Sequence, residues 1–407
     1  MNKLNKATGV LAAGFFINMC IGILYAWSVF KQSLVEQGWS NADASMPYTV
    51  ATICFSLSLL VAGNLQDRMG PRKVLILGTI MVGIGMIISS FASSPMTLLL
   101  SFGLITGCGI GIGYACLAPA AMKWFHPSKK GMVNGLIAAG FGLAAVYLAP
   151  LTSTLIANYG VNTSFLILGV GVLAIAVPLA CTINNPPADY VPEAPAGYVA
   201  KKGSGSVDMG WREMVKTPQF YSLWLMYALA SSAGLMIIGN ITSIAINQSD
   251  LTQVAFLVVV LSIFNSGGRV AAGLLSDKIG GIKTLMLAFI MQGINMMMFA
   301  TYNTEFTLMV GAAVAGVGYG TLLAVFPSIT ADYYGLKNYG GNYGVLYTAW
   351  GVSGFIGPVV AATAVDMTGN YVMAYSICAA MLAVAVVLTF VTKPVKSATA
   401  DKQKATA

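Results

Sequence analysis

Apolar residues run along this chain in stretches of about 20, divided by short polar breaks, with no two-residue alternation. That length suits a helix crossing a hydrocarbon layer of about 30 Å and does not suit the ~10-residue alternating strands of an outer-membrane barrel. Twelve runs stand out, at 9–30, 46–66, 73–92, 96–119, 132–155, 162–182, 218–241, 252–274, 283–302, 306–328, 342–364 and 371–392. The expected fold class is an all-α membrane protein of twelve transmembrane helices. The first run is too long for a signal-peptide core and no small-residue cleavage site follows, so it reads as a retained span. Asn184 to Lys216 is polar, with Pro186, Pro187, Pro192 and Pro195 and the run Lys201 to Ser206, which is linker composition. The organisation expected is a six-helix half over 1–183, a cytoplasmic linker over 184–216, a second half over 217–392 and a cytoplasmic tail over 393–407.

Composition narrows the class. Of 407 residues 57% are apolar and 8% charged, against about 25% charged in soluble domains, and disordered chains are poor in apolar residues. A net charge of +8 would suggest nucleic acid as a partner in a soluble protein. Its distribution points to the lipid bilayer instead. With the N-terminus inside, 19 of the 21 Lys and Arg residues fall on one side, Lys31 falls on the other, and Arg269 lies within a span. This is the positive-inside pattern of a multi-pass inner-membrane protein with both termini cytoplasmic. The six cysteines lie in or beside apolar runs without metal-ligand spacing, and read as packing residues. No nucleophile–base pair or nucleotide loop appears. The glycine strings at 107–113 and 316–320 lie inside apolar helices and follow no strand. No enzyme activity, cofactor or metal is expected, and the chain is expected to act as a monomer.

The two sets of spans repeat. Gly63-Asn-Leu-Gln-Asp67-Arg68-Met-Gly70-Pro-Arg72 recurs as Gly273-Leu-Leu-Ser-Asp277-Lys278-Ile-Gly280, 210 residues on. Asn134 to Pro150 matches Asn342 to Pro358, and Gly113-Tyr114 parallels Gly318-Tyr319. Six spans followed by six related ones in the same orientation is a plan of secondary transporters. These features resemble the major facilitator superfamily over nearly the whole chain. The resemblance implies a gating role for Asp67, Arg68, Arg72, Asp277 and Lys278, with salt bridges clasping the halves in one state; topological anchoring by the basic residues is the plainer alternative.

One charge remains unplaced. Arg269 lies eight residues before Asp277, about 12 Å from the helix end, and an intramembrane arginine costs at least about 2.5–3.5 kcal/mol. No acidic residue lies in any span. Arg269 is therefore a candidate anion ligand, since guanidinium fits a carboxylate bidentately; satisfaction by backbone carbonyls is the alternative. Asn265, one turn earlier, can bond the arginine or the substrate. Tyr25, Trp27, Tyr114, Tyr319, Tyr347 and Trp350 fall inside apolar runs and could line a cavity, with Asn240, Ser231 and Ser232 as weaker candidates.

A closer resemblance is to the oxalate/formate antiporter family, which includes bacterial lactate transporters. It rests on Gly22-Ile-Leu-Tyr25-Ala-Trp27-Ser28, Gly111-Ile-Gly-Tyr114, Lys123-Trp124-Phe125, Phe264-Asn265-Ser-Gly-Gly-Arg269, Phe326-Pro327-Ser328 and Asn342-Tyr343-Gly344. The likeness implies that Arg269 binds carboxylate and that Tyr25 and Tyr114 contact substrate, with Tyr319 standing where the oxalate carrier has a tryptophan. The oxalate carrier pairs its arginine with a lysine in span 11, where this chain has Trp350. One fixed cation favours a monocarboxylate of the lactate, pyruvate or formate class over a dianion. Animal monocarboxylate carriers, also similar, have an acid where Asn265 stands, and His126 lies in a loop. A proton accompanying the anion would then travel on the substrate or on water. The expected function is monocarboxylate transport by alternating access, with a proton as candidate co-substrate. Anion exchange of the oxalate/formate type, a carrier of neutral sugars or drugs, and a transporter-like sensor are the alternatives.

Overall fold

A computed structural model describes residues 3–187, 189–192, 208–249 and 255–394. The linker run Lys201 to Ser206, Asp250 and the tail beyond 394 lie outside the described residues. Among those described, eleven helical runs are long and apolar enough to cross a membrane. One of them, Pro127–Ala180, has 54 residues, and at 1.5 Å per residue it is more than twice the thickness of a hydrocarbon core. It turns at Gly160, whose φ of 79° only glycine adopts readily, and so makes two crossings. The total is twelve.

The first crossing is α1 (Lys3–Ile21) and α2 (Trp27–Glu36), joined by a tight 3₁₀ turn over Gly22–Ala26. Then come α3 (Asn41–Met69) and α4 (Pro71–Ser89). The fourth crossing begins as α5 (Pro95–Leu98), widens to π-helix over Leu99–Thr106, and continues as α6 (Gly107–Met122). α7 (Lys130–Ala180) holds crossings five and six. After the short α8 (Trp211–Met214), the second half comprises α9 (Pro218–Gln248), α10 (Ala255–Ile279), α11 (Gly281–Phe299), α12 (Glu305–Tyr334), α13 (Tyr339–Thr368) and α14 (Val372–Val391).

Several helices outrun their apolar cores because polar residues cap them beyond the hydrocarbon. Ser40 accepts from the Asp43 N–H at 3.0 Å, and Thr304 with Thr307 forms a capping box at the start of α12. Gly70 and Gly280, equivalent positions of the repeat, make the same positive-φ turn (83° and 93°) into α4 and α11. The 3₁₀ and π segments carry no periodicity signal, and hydropathy alone missed both.

The halves meet through α3 on α13 and α10 on α7. At the Lys/Arg-rich end both crossings are backbone on backbone. A Cβ on Gly63 would lie 2.0 Å from the Gly340 carbonyl oxygen, and one on Gly273 would lie 2.2 Å from that of Gly131. From there the contact continues to Ser56 against Gly351 and Ser266 against Gly142. The halves are thus pressed together from that end to the middle of the bundle.

Gly63→Ala should weaken this closed arrangement by about 1–3 kcal/mol through overpacking. The expected readouts are a lower melting temperature and faster reaction of a reporter cysteine at Lys337 with a water-soluble thiol reagent. An unchanged melting temperature would contradict so close a backbone approach.

Candidate substrate site at the seam

Arg269 sits in the middle of α10 and is 0% exposed. It faces neither lipid nor an acid: no carboxylate lies within ion-pair distance of it among the described residues. Its Nε donates to Asn265 Oδ1 at 3.1 Å, one turn back on the same helix. One terminal nitrogen donates to the Ala138 carbonyl of α7, and the other to the Tyr25 hydroxyl at 3.3 Å. The side chain therefore spans the seam. Gly142 makes room for it, since a Cβ there would stand 3.3 Å from the guanidinium carbon. The 3₁₀ turn in the first crossing carries Tyr25, so a local tightening of that helix presents the hydroxyl.

A guanidinium has five N–H groups. The three bonds leave one on each terminal nitrogen without an assigned partner. Tyr25 accepts from Arg269, so its own O–H is available to donate. These groups together can hold a carboxylate, and each protein acceptor on the arginine is neutral.

The aromatic candidates converge on the same place. Tyr25 packs edge-on to Phe141 (5.6 Å between centroids), Phe141 to Tyr114 (5.4 Å), and Tyr114 lies 6.3 Å from Tyr347. Tyr347 stacks on Trp350 at 5.2 Å, and the Trp350 indole N–H donates to the Tyr319 hydroxyl at 2.6 Å. Phe55 of α3 touches Tyr114, Phe141, Tyr347 and Trp350 at 5.6 to 6.1 Å. Arg269, Asn265, Tyr25, Tyr114, Tyr319, Tyr347 and Trp350 thus form one connected array. Sequence reasoning missed Phe55 and Phe141 at its centre, because a phenylalanine in an apolar helix carries no signal.

Other candidates fall elsewhere. Trp27 donates to the Ala44 carbonyl at 3.1 Å and packs on Phe102, which is packing within the first half. Asn240 and Ser232 bond carbonyls of their own helix, at Met236 and Ala228. Asn265 is occupied in positioning the arginine.

The expected gating set divides. Asp67 accepts from the Gly341 N–H at 3.0 Å, in the first turn of α13. Asp277 accepts from Gly131 and Met132 N–H, both at 2.8 Å, in the first turn of α7. Each carboxylate thus reaches across the seam to free N–H groups at a helix start in the other half. The partners are backbone amides and not the basic side chains that a salt-bridge clasp would need. The reason is geometric: the glycine contacts bring the helix N-termini closer than any long side chain, and those ends already carry partial positive charge. Arg68, Arg72 and Lys278 are exposed, as topological anchors would be. An ion pair does cross the halves here, from the mostly buried Lys130 to the exposed Asp332 at 3.2 Å, and with one end open to water it contributes about 1 kcal/mol. Burial lowers the Lys123 ammonium from its ordinary value, and the Asp67 carboxylate partly offsets that.

The model of the Major Facilitator Superfamily matches residues 8–300 and 223–407. The chain belongs to that superfamily. An uncharacterised MFS-type transporter of Escherichia coli, YhjX, is 30% identical over 345 residues, 82% of each chain. The oxalate:formate antiporter of Oxalobacter formigenes is 29% identical over 376 residues, 87% of this chain and 86% of that one. Monocarboxylate transporter 13 of Rattus norvegicus is 25% identical over 384 residues, covering 92% and 85%. The crystal structure of the E. coli fucose:proton symporter superposes with a TM-score of 0.73 at 13% identity, over 95% of this chain and 98% of that one, and shows the shared fold. This superfamily member is therefore a multi-pass membrane transporter with relatives that carry small organic anions.

Asp277→Ala should strip two helix-start N–H groups of their acceptor and cost the closed arrangement about 1–2 kcal/mol. The drop should appear as a lower melting temperature, with Asp277→Asn intermediate. Asn equal to the native protein would mean that the charge does nothing there, and no drop with Ala would remove the capping role altogether.

Proposed function

We propose that this transporter moves small monocarboxylate anions of the lactate, pyruvate and formate class across the inner membrane by alternating access, with both termini cytoplasmic. One observation carries the reading: a fully buried guanidinium at the seam of the two halves, held only by neutral groups among the described residues. A cation in low dielectric favours a ligand of one negative charge, and a dianion would leave one charge uncompensated. Trp350 fills the span-11 position beside the array with an uncharged ring. The names of the oxalate:formate and monocarboxylate relatives point to the same ligand class. Arg269, Tyr25, Tyr114, Tyr319, Tyr347 and Trp350 are the proposed site, with Asn265 orienting the arginine. The linker over 184–216 and the two halves on either side of it are the proposed moving parts.

The proton accompanies the anion on the substrate or on water, since the arginine's neutral partners offer no carboxylate to carry it. That same absence favours a second reading, strict anion exchange. Proteoliposomes separate them: a lactate gradient that changes the internal pH supports symport, and counterflow with no pH change supports exchange. A sensor without transport would show neither.

Arg269→Ala is expected to abolish lactate uptake while the protein still inserts and melts cooperatively. Arg269→Lys should retain little, because an ammonium loses the planar fork. Uptake by Arg269→Ala at the native rate would refute the assignment. Trp350→Lys adds the second cation, and oxalate should then compete with lactate about tenfold better or more; unchanged competition would remove charge balance as the basis of selectivity.

A further inference from the structure

Along α13, Tyr339, Tyr343, Tyr347 and Trp350 pack in one row, with successive ring centroids 5.7, 5.5 and 5.2 Å apart. Spacings of four, four and three residues keep them on one helix face. Tyr347 and Trp350 belong to the array around Arg269. Tyr343 and Tyr339 carry the row onward to the Lys/Arg-rich end, where the Gly341 N–H meets Asp67. Tyr227 of α9 closes against the row, 6.1 Å from Tyr347, stacks on Phe326 at 4.2 Å, and turns its hydroxyl to that of Tyr343.

All three added tyrosines are buried, at 0% (Tyr227), 1% (Tyr339) and 5% (Tyr343) exposure. Among the described residues the Tyr339 hydroxyl has no protein partner, those of Tyr227 and Tyr343 have none but each other, and Gln66 Oε1 and Asn342 Oδ1 beside the gate are also without one. Tyr25 and Tyr319 differ, because both hydroxyls are engaged. An unpaired buried hydroxyl opposes the state that buries it, and phenylalanine would fill the same space without that cost. Under-satisfied groups in a line from the guanidinium to the closed end are groups that find further partners when the halves separate there.

We infer that Tyr227, Tyr343 and Tyr339 form a second, transient carboxylate site: a relay of neutral O–H donors that takes the monocarboxylate from Arg269 toward the Lys/Arg-rich end. It rests on the monocarboxylate reading of Arg269. Neutral donors bind an anion more weakly than a guanidinium does, so the relay passes the ligand on where a second cation would trap it. As the anion leaves, Arg269 is left with the Ala138 carbonyl, Asn265 and Tyr25.

The test is Tyr343→Phe and Tyr339→Phe, each purified without ligand and then reconstituted. The relay predicts for Tyr339→Phe a melting temperature higher than native by about 1–3 °C, since that variant removes an unpaired group. It also predicts lactate turnover lower by about tenfold, the worth of one hydrogen bond to an anion, with half-saturation changed less than about twofold. A lower melting temperature for Tyr339→Phe, or native turnover in both variants, would overturn it. Tyr343→Cys gives an arm that needs no transport assay. A small anionic thiosulfonate applied from the Lys/Arg-rich face should label it above the background of the native cysteines, and no labelling overturns the passage. Labelling in a protein that moves no monocarboxylate would keep the passage and remove the ligand class, so the two failures are distinguishable.

Discussion

A guanidinium in the middle of a membrane helix sets the terms for the centre of this molecule. Arg269 can be neither deprotonated nor, at its depth, extended to water, so its N–H groups must be met from within. Three neutral acceptors do this, two of them from the opposite half. The bonds answer three of the five donors and leave the charge. That separation of hydrogen bonding from charge compensation makes the residue stable enough to fold around and still receptive to an anion. It also binds substrate chemistry to the seam, since whatever engages the arginine competes with contacts that hold the halves together.

The closed end is built from many small terms. Glycine pairs allow backbones to touch, two carboxylates cap helix starts across the seam, and an ion pair open to water at one end adds little. Against these stand buried hydroxyls and amide oxygens without partners. A closed end assembled this way is favourable by a modest margin, which on the proposed function lets it reopen as alternating access requires. A dry, fully paired hydrophobic seam of the same extent would close too well.

The aromatic array around the arginine excludes water on the first-half side through Phe55 and Phe141, and on the second-half side through Tyr347 and Trp350. Low dielectric there strengthens a single charge pair and penalises any excess charge. On the proposed function, selectivity by charge number is a property of the surroundings as much as of the arginine. The lone indole N–H of Trp350 is spent on Tyr319 and adds no cation to the site.

Hydropathy and charge alternation determined the number of crossings, and the internal repeat determined that they form two related halves, because hydrocarbon thickness and the positive-inside bias act on sequence directly. Arg269 was legible for the same reason: a charge in an apolar run is costly wherever the helix packs. The tyrosines were legible only as a set. Tertiary structure alone decided that Asp67 and Asp277 would seek backbone amides, since those partners lie 274 and about 145 residues away. It alone placed Phe55 and Phe141 at the centre, separated Trp27 from Tyr25, and left the Tyr339 hydroxyl buried without a partner among the described residues. Each of these depends on which helix faces which, and helix facing in a bundle this apolar is set by shape complementarity among small residues, which no local pattern records.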